Sequence, residues 1–322
     1  MRVAVVGTGR MGGFRADQLR RRGHDVVVAS GDPARGKPVA DVLEDELDAA
    51  IVSSSTDRHP EDVLACVQRG LPVLTEKPIA LTLRETRETL AGVAAAGGTL
   101  QVSFQRRFDP GFAAARGAVT DRRVGTVYLL RLTSHDREPS PERYIPTSGG
   151  IFRDLHVHDF DIVRWLLGTE VDEVYAVTTV RKWQRFGRHG DADTAAVLLT
   201  TRDGVPVLLS GTRHGPHGYD FRAEIFGSDD SLAVGLGPRT PLRSLEQDGP
   251  QLPAEPWDGF LDRFRAAFEA ELDAWLELVR GQRPNPCSGE EALAAMRIAV
   301  ACDVSARERR PVSLEEVVDD AA

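Results

Sequence analysis

The stretch Arg2-Val3-Ala4-Val5-Val6-Gly7-Thr8-Gly9-Arg10-Met11-Gly12 decides the fold. A short apolar run closed by glycine reads as a buried strand. The residues after it keep an amphipathic period over 11–22 and read as a helix. Between strand and helix stands Gly7-x-Gly9-x-x-Gly12. In that setting the glycines allow a tight turn and a close backbone approach to a pyrophosphate resting on the helix N-terminus. No Gly-Lys-Ser/Thr follows, so the loop is not a P-loop.

Working outward, strand candidates recur at 25–29, 49–53, 72–75 and 99–104, separated by helical candidates at 60–69 and 83–96, with another helix at 110–118. Strict alternation predicts parallel strands joined by crossover helices, an α/β doubly wound Rossmann domain over residues 1–120. Beyond it lies a run at 124–134, then a Pro-, Ser- and Gly-rich loop over 138–150. A helix is expected over about 154–167, with Gly168 as its C-cap. Strand candidates follow at 171–183, 194–201, 205–213, 220–226 and 231–236, with short turns between several of them. These predict a second, α+β domain over 121–322 with a large, mostly antiparallel open sheet. Two helices, 260–280 and 289–307, finish the chain.

Forty basic residues stand against 49 acidic ones in 322, a net charge of −9. That balance argues against nucleic-acid binding. No apolar run nears the roughly 18 residues of a membrane helix, and the first strand is too short for a secretory segment. The cysteines Cys66, Cys287 and Cys302 form no metal or disulfide pattern, which points to a reducing cytoplasm. The acidic tail, 315–320, is expected to be a solvated end. Only three basic residues are lysine, Lys37, Lys77 and Lys182; the rest are arginine.

The second strand ends not in a carboxylate but in Ser30, with Asp32 two residues later beside Pro33. A carboxylate there would hydrogen-bond the adenosine ribose and repel a 2′-phosphate. Ser30 can donate to a phosphate, and Arg10 can pair with it. NADP is therefore expected over NAD, with NAD possible; Lys37 is either a further phosphate contact or a loop residue. Thr75-Glu76-Lys77-Pro78 closes the fourth strand, at the ligand-binding edge. Unlike guanidinium, the compact ammonium of Lys77 can donate to a reacting oxygen and change its pKa; a surface lysine in a turn is the plainer alternative. Asp154, His158 and Asp161 fall at i, i+4 and i+7 and share one helix face, whereas His156 and Asp159 point elsewhere. An Asp one turn before a His supports the imidazole as a proton acceptor. A structural Asp/His pair is the alternative. A metal is not expected, because His156 and His158 diverge by about 200° on a helix.

These pieces, with Gln105-Arg106-Arg107-Phe108-Asp109, Gly149-Gly150, Ser288-Gly289-Glu290 and Pro311-Val312, resemble the Gfo/Idh/MocA oxidoreductase family along most of the chain. Ser134-His135-Asp136 and the run 148–165 resemble its inositol 2-dehydrogenase branch. The resemblance implies a catalytic trio of Lys77, Asp154 and His158. Beside the loop residues Gly7, Gly9, Arg10, Met11 and Gly12 and the strand-end Ser30, it implies cofactor contacts at Ser54, His59, Glu76 and Lys77; Ser30 with Arg10 departs from the family's usual NAD-dependent pattern. It further implies substrate contacts at Asp161, Tyr144, Arg107 and His135. The expected activity is hydride transfer between nicotinamide and a secondary alcohol of a cyclitol or sugar. A ketosugar reductase, or a non-catalytic dinucleotide-binding regulator, is the alternative. The expected partners are a polyol or sugar and further copies of the chain, as a tetramer or dimer.

Overall fold

The computed structural model describes residues 1–32 and 34–318. Pro33 and residues 319–322, which include the end of the acidic tail, lie outside the described residues. The chain divides into two compact units, Met1–Phe104 with Glu269–Ala294, and Gln105–Phe268 with Ala295–Ala322. The division falls at Phe104/Gln105 rather than at the expected residue 120. The helix Pro110–Thr120 continues the alternation in sequence, but it packs against the helix Val157–Leu167 within the second unit. The return at 269–294 has its own cause. Leu272, Trp275 and Leu276 join Val3, Val5, Leu19, Ile51 and Leu74 in one apolar core.

The first unit is built on five parallel strands, β1 (Arg2–Val6), β2 (Asp25–Ala29), β3 (Ala49–Val52), β4 (Val73–Thr75) and β5 (Leu100–Val102), in the order β2-β1-β3-β4-β5. The order reverses between β1 and β3, where such sheets bind ligands. The residue just past each strand continues the ladder: Gly7 donates to Ala29 O, Ser53 to Val6 O, Glu76 to Val52 O and Ser103 to Thr75 O. Gly7, Ser30, Ser53, Glu76 and Ser103 thus line one edge of the sheet.

The second unit holds seven strands, β6 (Val127–His135), β7 (Val171–Thr179), β8 (Thr194–Thr201), β9 (Pro206–Thr212), β10 (Asp220–Gly227), β11 (Ser231–Val234) and β12 (Val312–Ser313), in the order β11-β10-β6-β9-β8-β7-β12. Only β6 and β9 run parallel, so the sheet is mostly antiparallel as expected. The strand expected over 171–183 stops at Thr179 and gives way to the short helix Gln184–Arg188. The helix Val157–Leu167 ends on left-handed Gly168 and is preceded by a π-helical turn, Phe152–His156. The loop over 138–150 contains a 3-10 turn, Glu142–Tyr144, and a short helix, Ile145–Ser148. Among the described residues no helix is long and apolar enough to cross a membrane.

Candidate active site

Each unit carries one group of functional side chains. In the first, a Cβ on Gly7 would lie 2.4 Å from Ser53 O, and one on Gly12 would lie 1.9 Å from Gly7 O. Both glycines are therefore dictated by backbone packing. Gly9 is different, because a Cβ there meets nothing within 4 Å. No side chain caps the helix Arg10–Arg21, and its first turn has no acidic residue. This open, uncapped helix start fits a dinucleotide pyrophosphate, with Gly9, Arg10, Met11 and Gly12 around it. Ser30 is buried and its Oγ accepts the Asp32 N–H at 3.0 Å, which ties it into its own loop. Arg10, Arg35 and Lys37 are exposed in this same unit, and Asp32 lies 3.8 Å from Arg35.

Ser54 donates its hydroxyl to the buried Asp62 at 2.6 Å. His59 is 2% exposed, with Nδ1 at 2.8 Å from Pro78 O and Nε2 at 3.1 Å from Ser54 O. Burial lowers its pKa, and a neutral ring donates to one of the two carbonyls. His59 therefore ties the turn after β3 to the turn after β4, and its ring is not open to a cofactor. The Lys77–Pro78 bond is cis. Glu76 and Lys77 are half-buried at this edge, and Arg15 Nε donates to Glu76 Oε1 at 3.0 Å.

In the second unit the π turn presents Asp154. Tyr144 donates its hydroxyl to Asp154 Oδ1 at 2.9 Å, and Arg213 Nη1 donates to Oδ2 at 2.6 Å. Arg213 is itself buried and lies 3.5 Å from Asp191 Oδ2. Burial lowers the Arg213 pKa, but Asp154 and Asp191 outweigh it and hold the guanidinium well above its ordinary value. Asp191 accepts the Ile151 N–H at 2.8 Å, directly before the π turn. Burial pushes the Asp191 pKa up, against the pull of Arg213. His158 follows half-buried on the next turn.

The other acidic residues of this helix are sealed. Asp159 takes Arg106 Nη1 at 2.5 Å, Ser134 Oγ at 2.7 Å and His156 Nδ1 at 2.8 Å. Burial would raise its pKa, but Arg106, His156 and Ser134 prevail and hold the carboxyl below its ordinary value. Asp161 is fully buried in a two-pronged pair with Arg107, at 2.9 Å from Nε and 2.5 Å from Nη2. The two residues expected to meet substrate thus meet each other, and Asp161 presents no surface to one. His135 also departs from expectation. Ser134 reaches Asp159 on the helix side of the sheet, so the pleat turns His135 to the opposite face, with Nε2 3.3 Å from Ser210 Oγ. Among the described residues no cluster of His, Cys, Asp and Glu could hold a metal. Nothing in the sequence pattern marks Arg15, Ser103, Asp191, Arg213 and Glu271, and Arg106 stands there only as part of a motif with no role of its own.

Two family models match the chain, the oxidoreductase family with an NAD-binding Rossmann fold over residues 1–104 and the GFO/IDH/MocA C-terminal domain over 112–233. The chain is 33% identical to a myo-inositol 2-dehydrogenase of Thermotoga maritima, covering 99% of this chain and 100% of that protein. It is 38% identical to a myo-inositol dehydrogenase of Streptomyces leeuwenhoekii, covering 95% and 97%. A crystal structure of a myo-inositol dehydrogenase from Corynebacterium glutamicum superposes with a TM-score of 0.85 at 32% identity, covering 98% of each chain. With both domain types matched in order and relatives aligned end to end, the chain belongs to the Gfo/Idh/MocA family of oxidoreductases.

Proposed function

We propose that the protein is a nicotinamide-dependent dehydrogenase acting on a secondary alcohol of a cyclitol, with Lys77, Asp154 and His158 as its working groups. One observation carries this reading. Lys77, Asp154 and His158 keep partial exposure, while the neighbouring His156, Asp159 and Asp161 are sealed. The names of the relatives, myo-inositol dehydrogenases, support the substrate class. When bound, a nicotinamide dinucleotide would supply the acceptor for the hydride of the carbinol carbon. His158 takes the hydroxyl proton and the Lys77 ammonium donates to the oxygen as it becomes a carbonyl, leaving a ketone. Asp154, held by Tyr144 and Arg213, stands one turn from His158, where a carboxylate supports the imidazolium.

Gly7, Gly9, Arg10, Met11, Gly12, Ser54 and Glu76 are proposed to surround the dinucleotide. NAD serves as cofactor, in line with the Rossmann model. The finer reading is that NADP is used in preference; the neutral Ser30 and the exposed Arg10, Arg35 and Lys37 support it. A phosphate-bearing cofactor would also favour the second reading, a ketosugar reductase running the same chemistry in reverse. Copies of the chain are proposed to associate through the open sheet face, where Tyr175, Val177, Leu198 and Leu208 stand exposed, and a reducing cytoplasm is the proposed compartment. Replacing Lys77 by Met or His158 by Asn is expected to lower kcat well over tenfold, with cofactor affinity nearly intact. Unchanged turnover would sink the mechanism. Inositols, aldoses and ketosugars assayed in both directions with both cofactors fix substrate and preference, and a higher kcat/KM with NAD ends the NADP reading.

A further inference from the structure

Below Glu76 in the first unit lies a polar group that none of the proposed steps uses. Arg15, on the helix after the glycine loop, is fully buried. Its Nε donates to Glu76 Oε1 at 3.0 Å, and its Nη2 donates both to Glu271 Oε2 at 2.5 Å and to Ser103 Oγ at 2.8 Å. Ser103 in turn donates to Glu271 Oε2 at 3.0 Å, and Arg15 Nη1 reaches Gln18 Oε1 at 3.3 Å. Glu271 comes from the far end of the chain, on the helix Arg265–Val279, and is 0% exposed. Its Oε1 has no hydrogen-bond partner among the described residues.

One cation shared by two carboxylates, one of them dry and half-satisfied, is a poor arrangement for stability. Burial, with Glu76 adding to it and Arg15 opposing, pushes the Glu271 pKa up to about 7. An apolar side chain would fill the space at lower cost. What the cluster supplies is position. Glu76 is directly followed by Lys77. On the other side of the lysine, Pro78 O is held by His59. Glu76 is therefore the second anchor of Lys77; Arg15 holds it, and Glu271 with Ser103 sets Arg15.

We propose that Glu271 is a positioning residue for Lys77, acting through Arg15 and Ser103 on Glu76; this rests on the reading of Lys77 as a working group. The test compares full-length wild type, Glu271→Gln, Lys77→Met and the double variant. Gln keeps the shape and leaves Arg15 paired with Glu76. The expected result for E271Q is a tenfold or greater fall in kcat, with KM for the alcohol and the Kd for the dinucleotide within threefold of wild type. Its Tm at pH 8 should be no lower. In the K77M background E271Q should cost less than twofold, because its effect runs through the lysine; an equal loss in both backgrounds marks a general structural role and overturns the proposal. Unchanged kcat in E271Q overturns it as well. If K77M itself turns over normally, the site reading fails and the proposal with it, an outcome separate from the first two. Should E271Q not fold, Ser103→Ala serves instead. A threefold or greater loss of kcat at constant KM supports the proposal, and no loss overturns it.

Discussion

At the scale of single residues, the glycine loop separates two roles that one motif conflates. Gly12→Ala forces a Cβ to within 1.9 Å of a backbone oxygen that cannot swing away. It is expected to cost about 1–3 kcal/mol or more in unfolding experiments. Gly9 has φ −75°, which alanine tolerates, and open space where a Cβ would go. Gly9→Ala is therefore expected to stay within about 1 kcal/mol of wild type yet lose tenfold or more in dinucleotide affinity, read by titration. Equal effects in both assays would contradict the division of roles. Residue identity also governed what the sequence disclosed. Lys77 stood out because lysine is scarce here, and it lies at the edge where the strands end. Arg15 and Arg213 were hidden because arginine is common throughout the chain, and nothing in its spacing marks one buried between two carboxylates.

At the scale of elements, the helix carrying Asp154 and His158 was legible, and so was its Gly168 stop, but its phase was not. A turn closed by i→i+5 bonds advances less per residue than an α turn. A face counted back from Asp161 at 3.6 residues per turn therefore misplaces Asp154, which is why one is sealed and the other is not. The π turn is secured from outside by Arg213, at the end of β9, and by Asp191. Arg213→Met removes the cation between two carboxylates and is expected to cost roughly 3–5 kcal/mol. Any folded fraction should show the acid limb of its kcat profile moved to higher pH, since both carboxyls then protonate more easily. Arg213→Lys restores charge without the planar fork and should recover only part of the loss. Tyr144→Phe, at an exposed position, should cost less than about 1 kcal/mol of stability. Melting curves and pH–rate profiles of the three variants check the set; a Met variant as stable as wild type would remove Arg213 from its role.

At the scale of the whole molecule, alternation of strand and helix announced the nucleotide-binding unit, and the change of pattern announced the second. The return of 269–294 to the first unit was silent, because an amphipathic helix shows that it has a buried face but not which sheet it meets. That return brings Glu271 into the first core and makes stability depend on pH in a definite sense. An ordinary glutamate titrates near 4.5, whereas folded Glu271 titrates at about 7. Between those values the folded chain holds a proton that the unfolded chain has released. The contribution is fully present below about pH 4.5 and is lost as pH rises through about 7, to the extent of roughly 3 kcal/mol. His59 opposes it. Burial lowers its folded pKa, so the unfolded chain binds the extra proton and stability rises with pH in an overlapping window. The wild-type profile is thus a sum of opposed terms, and the difference between wild type and Glu271→Gln isolates one of them. The variant should melt close to wild type at pH 5 and above it at pH 8, with the gap opening between pH 5 and 7. Parallel profiles for the two proteins would mean that Glu271 titrates where an exposed glutamate does and that burial does not raise its pKa.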